Sequence, residues 1–202
     1  MKKLPPSFYQ RKDVVAIAKD LIGKIVVTKM NGIKTSGRIV ETEAYVANTD
    51  KASHAYNGKR TQRNQHMYAN AGTVYVYICY GMHHMLNVVT NDIDVPDAVL
   101  IRAIEPVEGI NDMLLRTRKK SLDNTLTKGP GNVAKALGIT KAFSGLTFGG
   151  DKIVIYDDAI IVVESEIGIS NRIGIASAQE DASLPYRFFV KGNKFVSGRP
   201  VK

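Results

Sequence analysis

The 202-residue sequence has no tryptophan, one cysteine and only four histidines. A lone Cys79 excludes an internal disulfide framework and Cys-rich zinc sites, and it suits a reducing compartment. The histidines offer no chelating pair: His83 and His84 are adjacent and would face opposite ways on a strand. No metal site and no cofactor are therefore expected. No run of about eighteen apolar residues occurs, which excludes a transmembrane helix. Met1-Lys2-Lys3-Leu4-Pro5-Pro6 has the charge of a signal peptide without the apolar stretch behind it. Repeats, low-complexity tracts and Pro/Gly-rich linkers are also missing. These absences lead us to expect one soluble, intracellular, cytoplasmic domain over residues 1–202, with no membrane partner.

What is present in excess is positive charge. Twenty-eight Lys and Arg oppose nineteen Asp and Glu, a net charge of +9. A surface of that sign attracts polyanions, chiefly nucleic acid or anionic membrane, although many basic proteins bind neither.

Hydrophobic spacing predicts a helix over 13–22 with Asp13 as N-cap. It then predicts a hairpin from 24–30 to 36–46 turning at Asn31-Gly32. A polar, irregular stretch over 53–71 follows. A second hairpin joins 72–80 to 82–90, with Tyr80-Gly81-Met82 at its tip. A strand over 98–103, a helix over 106–120 and a short helix over 132–137 come next. Strands arriving as hairpins with helices between groups argue for an α+β fold with a largely antiparallel sheet.

Three stretches could carry chemistry. In Gly37 to Tyr45, strict alternation places Ile39, Glu41, Glu43 and Tyr45 on one strand face. Paired carboxylates there suit glycosidic hydrolysis, but equally a solvated face. In Thr73 to Tyr80, Tyr75 and Tyr77 share a face, as β-core residues commonly do. Tyr80 leaves that pattern at the tip, where a Tyr and Met82 could wedge between bases. Thr127-Lys128-Gly129-Pro130-Gly131-Asn132 could present N–H groups to a phosphate, or could simply be a helix-entry turn. The basic run Arg116 to Lys120 could follow phosphates, or could be a solvated helix end.

Taken together, Val40-Glu41-Thr42-Glu43-Ala44-Tyr45, His54, Tyr75 to Met82, Asn87 and Leu100 to Pro106 resemble the alkyladenine (3-methyladenine) DNA glycosylases. Gly129-Pro130-Gly131, Arg172-Ile173-Gly174-Ile175 and Tyr186 to Val190 extend the match in the family's order over nearly the whole chain. The resemblance implies one glycosylase domain built on a curved, largely antiparallel sheet with surrounding helices and a DNA-intercalating β-hairpin. It implies Glu43 as the base that activates water, with Arg102 and the main-chain carbonyl of Ile173 helping to hold that water. Tyr45, His54 and Tyr77 would enclose the flipped base, Asn87 would screen out normal guanine, and Tyr80 with Met82 would fill the gap left in the duplex. Lys128, Gly131 and Lys141 would contact the DNA backbone. The family often has Lys directly after this Gly-Pro-Gly, where this chain has Asn132.

The implied substrate is double-stranded DNA carrying damaged purines of the 3-methyladenine, 7-methylguanine, hypoxanthine and ethenoadenine class, attacked by a monomer. Extrusion costs a few kcal/mol, and damaged bases cost least. No lysine lies within the matched pocket blocks, so lyase chemistry is not expected. The rivals are an O-glycoside hydrolase, disfavoured by the missing tryptophan and the +9 charge, and a non-catalytic minor-groove DNA-bending protein.

Overall fold

The computed structural model describes residues 1–198; the last four residues of the expected 1–202 domain lie outside that range. In chain order the elements are β1 (Lys2–Lys3), α1 (Pro6–Tyr9), α2 (Val14–Asp20), β2 (Ile25–Met30), β3 (Ile33–Tyr45), β4 (Val74–Cys79) and β5 (His83–Thr90). They continue as β6 (Asp97–Glu108), α3 (Ile110–Thr117), α4 (Pro130–Leu137), β7 (Ile153–Asp157), β8 (Ile167–Ser170) and β9 (Arg187–Val190). Among the described residues the strands form one curved, open, antiparallel sheet in the order β1-β7-β2-β3-β6-β5-β4, with β9 joining β3 to β8. The fold is thus the expected α+β class. No helix of the described residues is long and apolar enough to cross a membrane.

Local chemistry explains the boundaries. Asp13 caps α2 by accepting the Ala16 N–H at 2.9 Å, a bond that satisfies an otherwise orphaned donor of the first turn. Asn31 and Gly32 both take positive φ, 50° and 76°, as a tight hairpin requires. The helix expected over 106–120 is shorter. Strand β6 runs on through Pro106 to Glu108, because Gly37 and Ser36 of β3 continue to pair with it, and α3 starts only after Gly109 at φ 74°.

The main core lies between one sheet face and helices α2 and α4. Ile17, Leu21, Val133 and Leu137 meet Ile39, Ala44, Val76, Leu86, Val99, Ile101 and Ile104 there, all essentially inaccessible to water. Burial at about 25 cal/mol per Å² of apolar surface makes this face the main stabilising feature. The opposite face of β3 to β6 is left for polar and aromatic side chains.

Strict alternation fails at one place that matters. Ile39 pairs with Ile104 and Glu41 with Ala103, so Val40 is an extra residue on β3; Thr42 then pairs with Ile101, making Arg102 an extra residue on β6. Two compensating bulges follow each other. Ile39 therefore turns to the helix-covered core with Thr42 and Ala44, and not to the face of Glu41 and Glu43. Bulges of this kind re-aim side chains and are common beside active sites. Here they bring Arg102 beside both glutamates.

Candidate active site

Glu43 is fully buried on the polar face of β3, yet it is richly supplied with donors. The Ile173 main-chain N–H donates to Oε1 at 2.7 Å, and the Tyr45 hydroxyl donates to Oε2 at 2.8 Å. The Arg102 guanidinium approaches the same Oε2 through Nη1 at 3.2 Å. A carboxylate has about four acceptor positions, so these three contacts leave room for one more donor, such as a water. The Ile173 main chain thus meets Glu43 through its amide, a contact separate from the water-holding role that the sequence resemblance implies for its carbonyl.

Tyr45 connects this carboxylate to a pocket. Its ring, with Tyr75 and Tyr77 of β4, His54, Met67 and Asn87 of β5, lines the cavity, and Ala52 and Ala98 complete it. Tyr75 and Tyr77 arrive together because alternate residues of β4 share a face, while Val74 and Val76 go to the core. The His54 ring stands edge-on to Tyr77, with centroids 4.5 Å apart, and its Nδ1 shares a hydrogen bond with the Tyr75 hydroxyl at 2.9 Å. Asn87 is held by donating to the carbonyls of Tyr75 and Met85 at 3.2 and 3.1 Å.

The titratable groups of the pocket stay neutral. Burial, and then the negative charge of Glu43, push the Tyr45 phenol well above its ordinary range, which preserves it as a donor. Burial raises Tyr75 likewise and lifts Tyr77 to about 12. Burial, followed by the positive charges of Arg63 and Lys59, draws His54 down to about 4. A neutral histidine offers one donor and one acceptor nitrogen, which suits an uncharged or delocalised heterocycle.

The His54 shift has a measurable consequence for stability. An unfolded histidine titrates near ~6.5, so the unfolded chain takes up the proton first as pH falls. The contribution of neutral His54 is complete above that value and is lost progressively down to pH about 4. Urea unfolding of the wild type should lose about 2 kcal/mol between pH 7 and pH 4.5 that His54→Gln does not lose. Identical pH slopes for the two proteins would show that His54 is not held in this way.

The second hairpin delivers its tip as expected. Tyr80 adopts φ 49° and Gly81 φ 72°, so a bulky residue occupies a backbone region that bulky residues seldom use. The conformation leaves the Tyr80 side chain 85% exposed and Met82 71% exposed. An aromatic and a thioether held in water at a turn carry a solvation penalty that contact with an apolar surface would remove.

The remaining expected residues are more scattered. Lys128 precedes the turn into α4 and lines a surface cleft with Asn124 and Lys194. Gly131 packs against the hairpin just below its tip: a Cβ there would lie 3.0 Å from the His83 ring. Lys141 is exposed in the turn that leads to Gly145, whose N–H pairs with Val74 of β4. Asn132 clamps its own turn, donating to the carbonyls of Thr125 and Lys128 at 3.1 and 3.0 Å. Arg116, from the basic run, points inward to Thr35 and the Ala136 carbonyl.

Several site residues were not singled out from the sequence. Tyr75 could have been, since it shares its face with Tyr77. Arg172 buries its guanidinium against Asp50, the Ala44 carbonyl and the Tyr45 ring, 4.8 Å away. Arg187 and Ser197 both bind Glu41, at 2.7 and 2.8 Å. Their only sequence signal was position within matched blocks, or none for Ser197. Among the described residues no three His, Cys, Asp or Glu side chains gather as a metal would require.

Comparison with known proteins matches residues 7–194 to the methylpurine-DNA glycosylase family. A Clostridium perfringens protein named "Putative 3-methyladenine DNA glycosylase" is 46% identical over 96% of this chain and 98% of its own. Proteins bearing the same name from Clostridium novyi and Chlamydia abortus are 44% and 45% identical, over 98% and 93% of this chain and 99% and 97% of theirs. The chain that builds this buried carboxylate beside an aromatic pocket belongs to the methylpurine-DNA glycosylase family.

Proposed function

We propose that this protein is a monofunctional DNA repair glycosylase that extrudes alkylated or deaminated purines from duplex DNA and hydrolyses their N-glycosidic bond. The observation that carries the reading is the double duty of Tyr45. Its ring lines the pocket while its hydroxyl holds Glu43. A base seated among those rings places its sugar carbon toward the buried carboxylate.

In this reading Glu43 deprotonates a water and stabilises the oxocarbenium-like sugar that forms as the base departs. Arg102 and the Ile173 main chain hold Glu43 and the water in register. Tyr45, His54 and Tyr77 enclose the base, and Asn87 rejects normal guanine at the pocket wall. Stacking on an aromatic face contributes about 1–3 kcal/mol per base, whatever the base's hydrogen-bond pattern, which supports a broad lesion range. A cationic alkylated purine leaves unaided, whereas hypoxanthine needs protonation. Among the described residues no lysine lines the pocket, and we assign no Schiff-base step. Tyr80 and Met82 occupy the gap in the duplex, with Lys128, Gly131 and Lys141 on its backbone. The unit acts as a single domain and a monomer.

The test is base release from duplexes carrying hypoxanthine or 1,N6-ethenoadenine, read as strand breaks after alkaline cleavage. Release supports the reading. Tight binding to these duplexes with no release would favour the DNA-bending alternative, which the exposed Tyr80 hairpin also fits. For the hairpin itself, Tyr80→Ser should weaken affinity for a duplex with a non-hydrolysable abasic analogue by about tenfold, toward the lower end of the stacking range. Thermal stability should stay unchanged, since the side chain is exposed. Unchanged affinity would remove Tyr80 from the wedge role.

A further inference from the structure

From Glu43 inward, four charged side chains run in one buried row. Arg102 Nη1 lies 3.2 Å from Glu43, Arg102 Nε donates to Glu41 at 3.1 Å, and Arg187 Nε donates to Glu41 at 2.7 Å. Both glutamates are fully buried, and Arg102 and Arg187 are 7% and 3% exposed. Two negative and two positive charges therefore alternate and cancel.

Glu41 is buried among four donors. Besides the two guanidinium groups it accepts the Ser197 N–H at 2.7 Å and the Ser197 hydroxyl at 2.8 Å. Three of the four donors converge on Oε1 and the Ser197 N–H meets Oε2, and the side chain is fully buried, so these protein groups and not solvent surround the carboxylate. Burial alone would push the Glu41 carboxyl up, but Arg102, Arg187 and the Ser197 N–H outweigh it and hold it below the usual range. Glu41 is a fixed negative charge.

Arg102 has the complementary situation. It is the extra residue of a β-bulge, so the backbone ladder does not set its direction. Its Nε is taken by Glu41 and its Nη2 by the Ser197 hydroxyl at 3.2 Å. Only Nη1 remains to face Glu43. Arg187 closes the frame by donating to the Ser197 carbonyl at 2.7 Å and to the Ser170 hydroxyl at 2.8 Å. Ser197 lies beyond the residues matched by the family model.

Building on the glycosylase reading, we infer that Glu41, Arg187 and Ser197 are positioning residues that aim Arg102 at Glu43, and that Glu41 is not a second catalytic carboxylate.

Single-turnover base release, affinity for a duplex carrying the non-hydrolysable abasic analogue, and thermal unfolding should be measured on Glu41→Gln, Ser197→Ala and wild type. Glu41→Gln should slow release about 10²-fold, the scale of an ångström-level misplacement, with affinity within twofold of wild type. Its acidic limb in the pH–rate profile should move to lower pH, since two guanidinium groups would then face one carboxylate. Ser197→Ala changes no charge and keeps the main-chain N–H, and should slow release about tenfold. It keeps the proposal testable if Glu41→Gln does not fold. Wild-type rates and pH profile in the folded variants, or losses confined to thermal stability, overturn the inference. An inactive wild type would instead overturn the glycosylase reading, and active wild type beside inactive Glu43→Gln isolates the two.

Discussion

Glu43→Gln is expected to bind damaged duplex as well as the wild type and to release base at least about 10³-fold more slowly. The amide keeps the side chain's size, and its oxygen can still accept the Ile173 N–H that now reaches Oε1 at 2.7 Å. What disappears is the negative charge. The amide cannot take a proton from water, a loss worth about 10²–10⁴ in rate, and it no longer stabilises a positive sugar. Its NH2 would also confront Arg102 Nη1, donor against donor, where the carboxylate oxygen sits 3.2 Å away. The pocket rings are untouched by the change, so binding should persist. Single-turnover release and gel-shift affinity on the same hypoxanthine duplex provide the check. Release at the wild-type rate would exclude Glu43 as the base and leave Arg102 and the main chain to be reconsidered.

Arg172→Met is expected to lower the thermal midpoint by about 10 °C, a far larger effect than any exposed ion pair in this protein would produce. The Arg172 side chain is completely buried, with its partner Asp50 at 1% exposure. Nη2 meets Asp50 Oδ1 at 2.8 Å while Nη1 meets both Asp50 Oδ2 and the Ala44 carbonyl, the latter at 2.9 Å. A third segment is tied in by Nη2 and the Asp181 carbonyl at 3.1 Å. Removing the cation strands a buried carboxylate, which costs about 3–5 kcal/mol, and in a chain of this length each kcal/mol moves the midpoint by about 2–4 °C. Asp50→Asn added to Arg172→Met should restore part of the loss, because the stranded charge is gone. Calorimetry on both variants decides the matter. A single variant as stable as wild type would mean that the pair contributes nothing. Base release should also fall in Arg172→Met, because the same guanidinium packs on the Tyr45 ring and precedes Ile173.

Much of the site follows from local spacing. Glu43 and Tyr45 stand two residues apart on one strand, so an extended backbone alone puts both on the same face and lets the hydroxyl reach the carboxylate. Tyr75 and Tyr77 face one way for the same reason. Tyr80-Gly81 breaks the alternation at a turn, and the tip is exposed because a two-stranded hairpin has nothing beyond its end. Asp13, Asn31-Gly32 and Gly109 mark helix and turn boundaries through backbone preferences that neighbours hardly alter.

What spacing could not reveal was which distant strands would meet, and in what register. Alternation placed Ile39 beside Glu41; the extra Val40 reversed it, and the extra Arg102 on β6 restored the register within two residues. Bulges depend on how two whole strands pack on α2 and α4, and no short window of sequence contains that information. The partners of Glu41 come from positions 102, 187 and 197, and those of Arg172 from 44, 50 and 181. By itself the sequence determined most of the elements, the charge, the aromatic face and the position of Glu43 on its strand, since these rest on contacts between near neighbours along the chain, whereas the boundary between β6 and α3 followed from pairing with β3. Only the tertiary structure decided that Glu41 is buried among four donors, that Arg102 is shared between two carboxylates, and that an amide of Ile173 meets Glu43. Buried charges are tolerated only where every partner arrives together, and that condition is met by the packed fold as a whole.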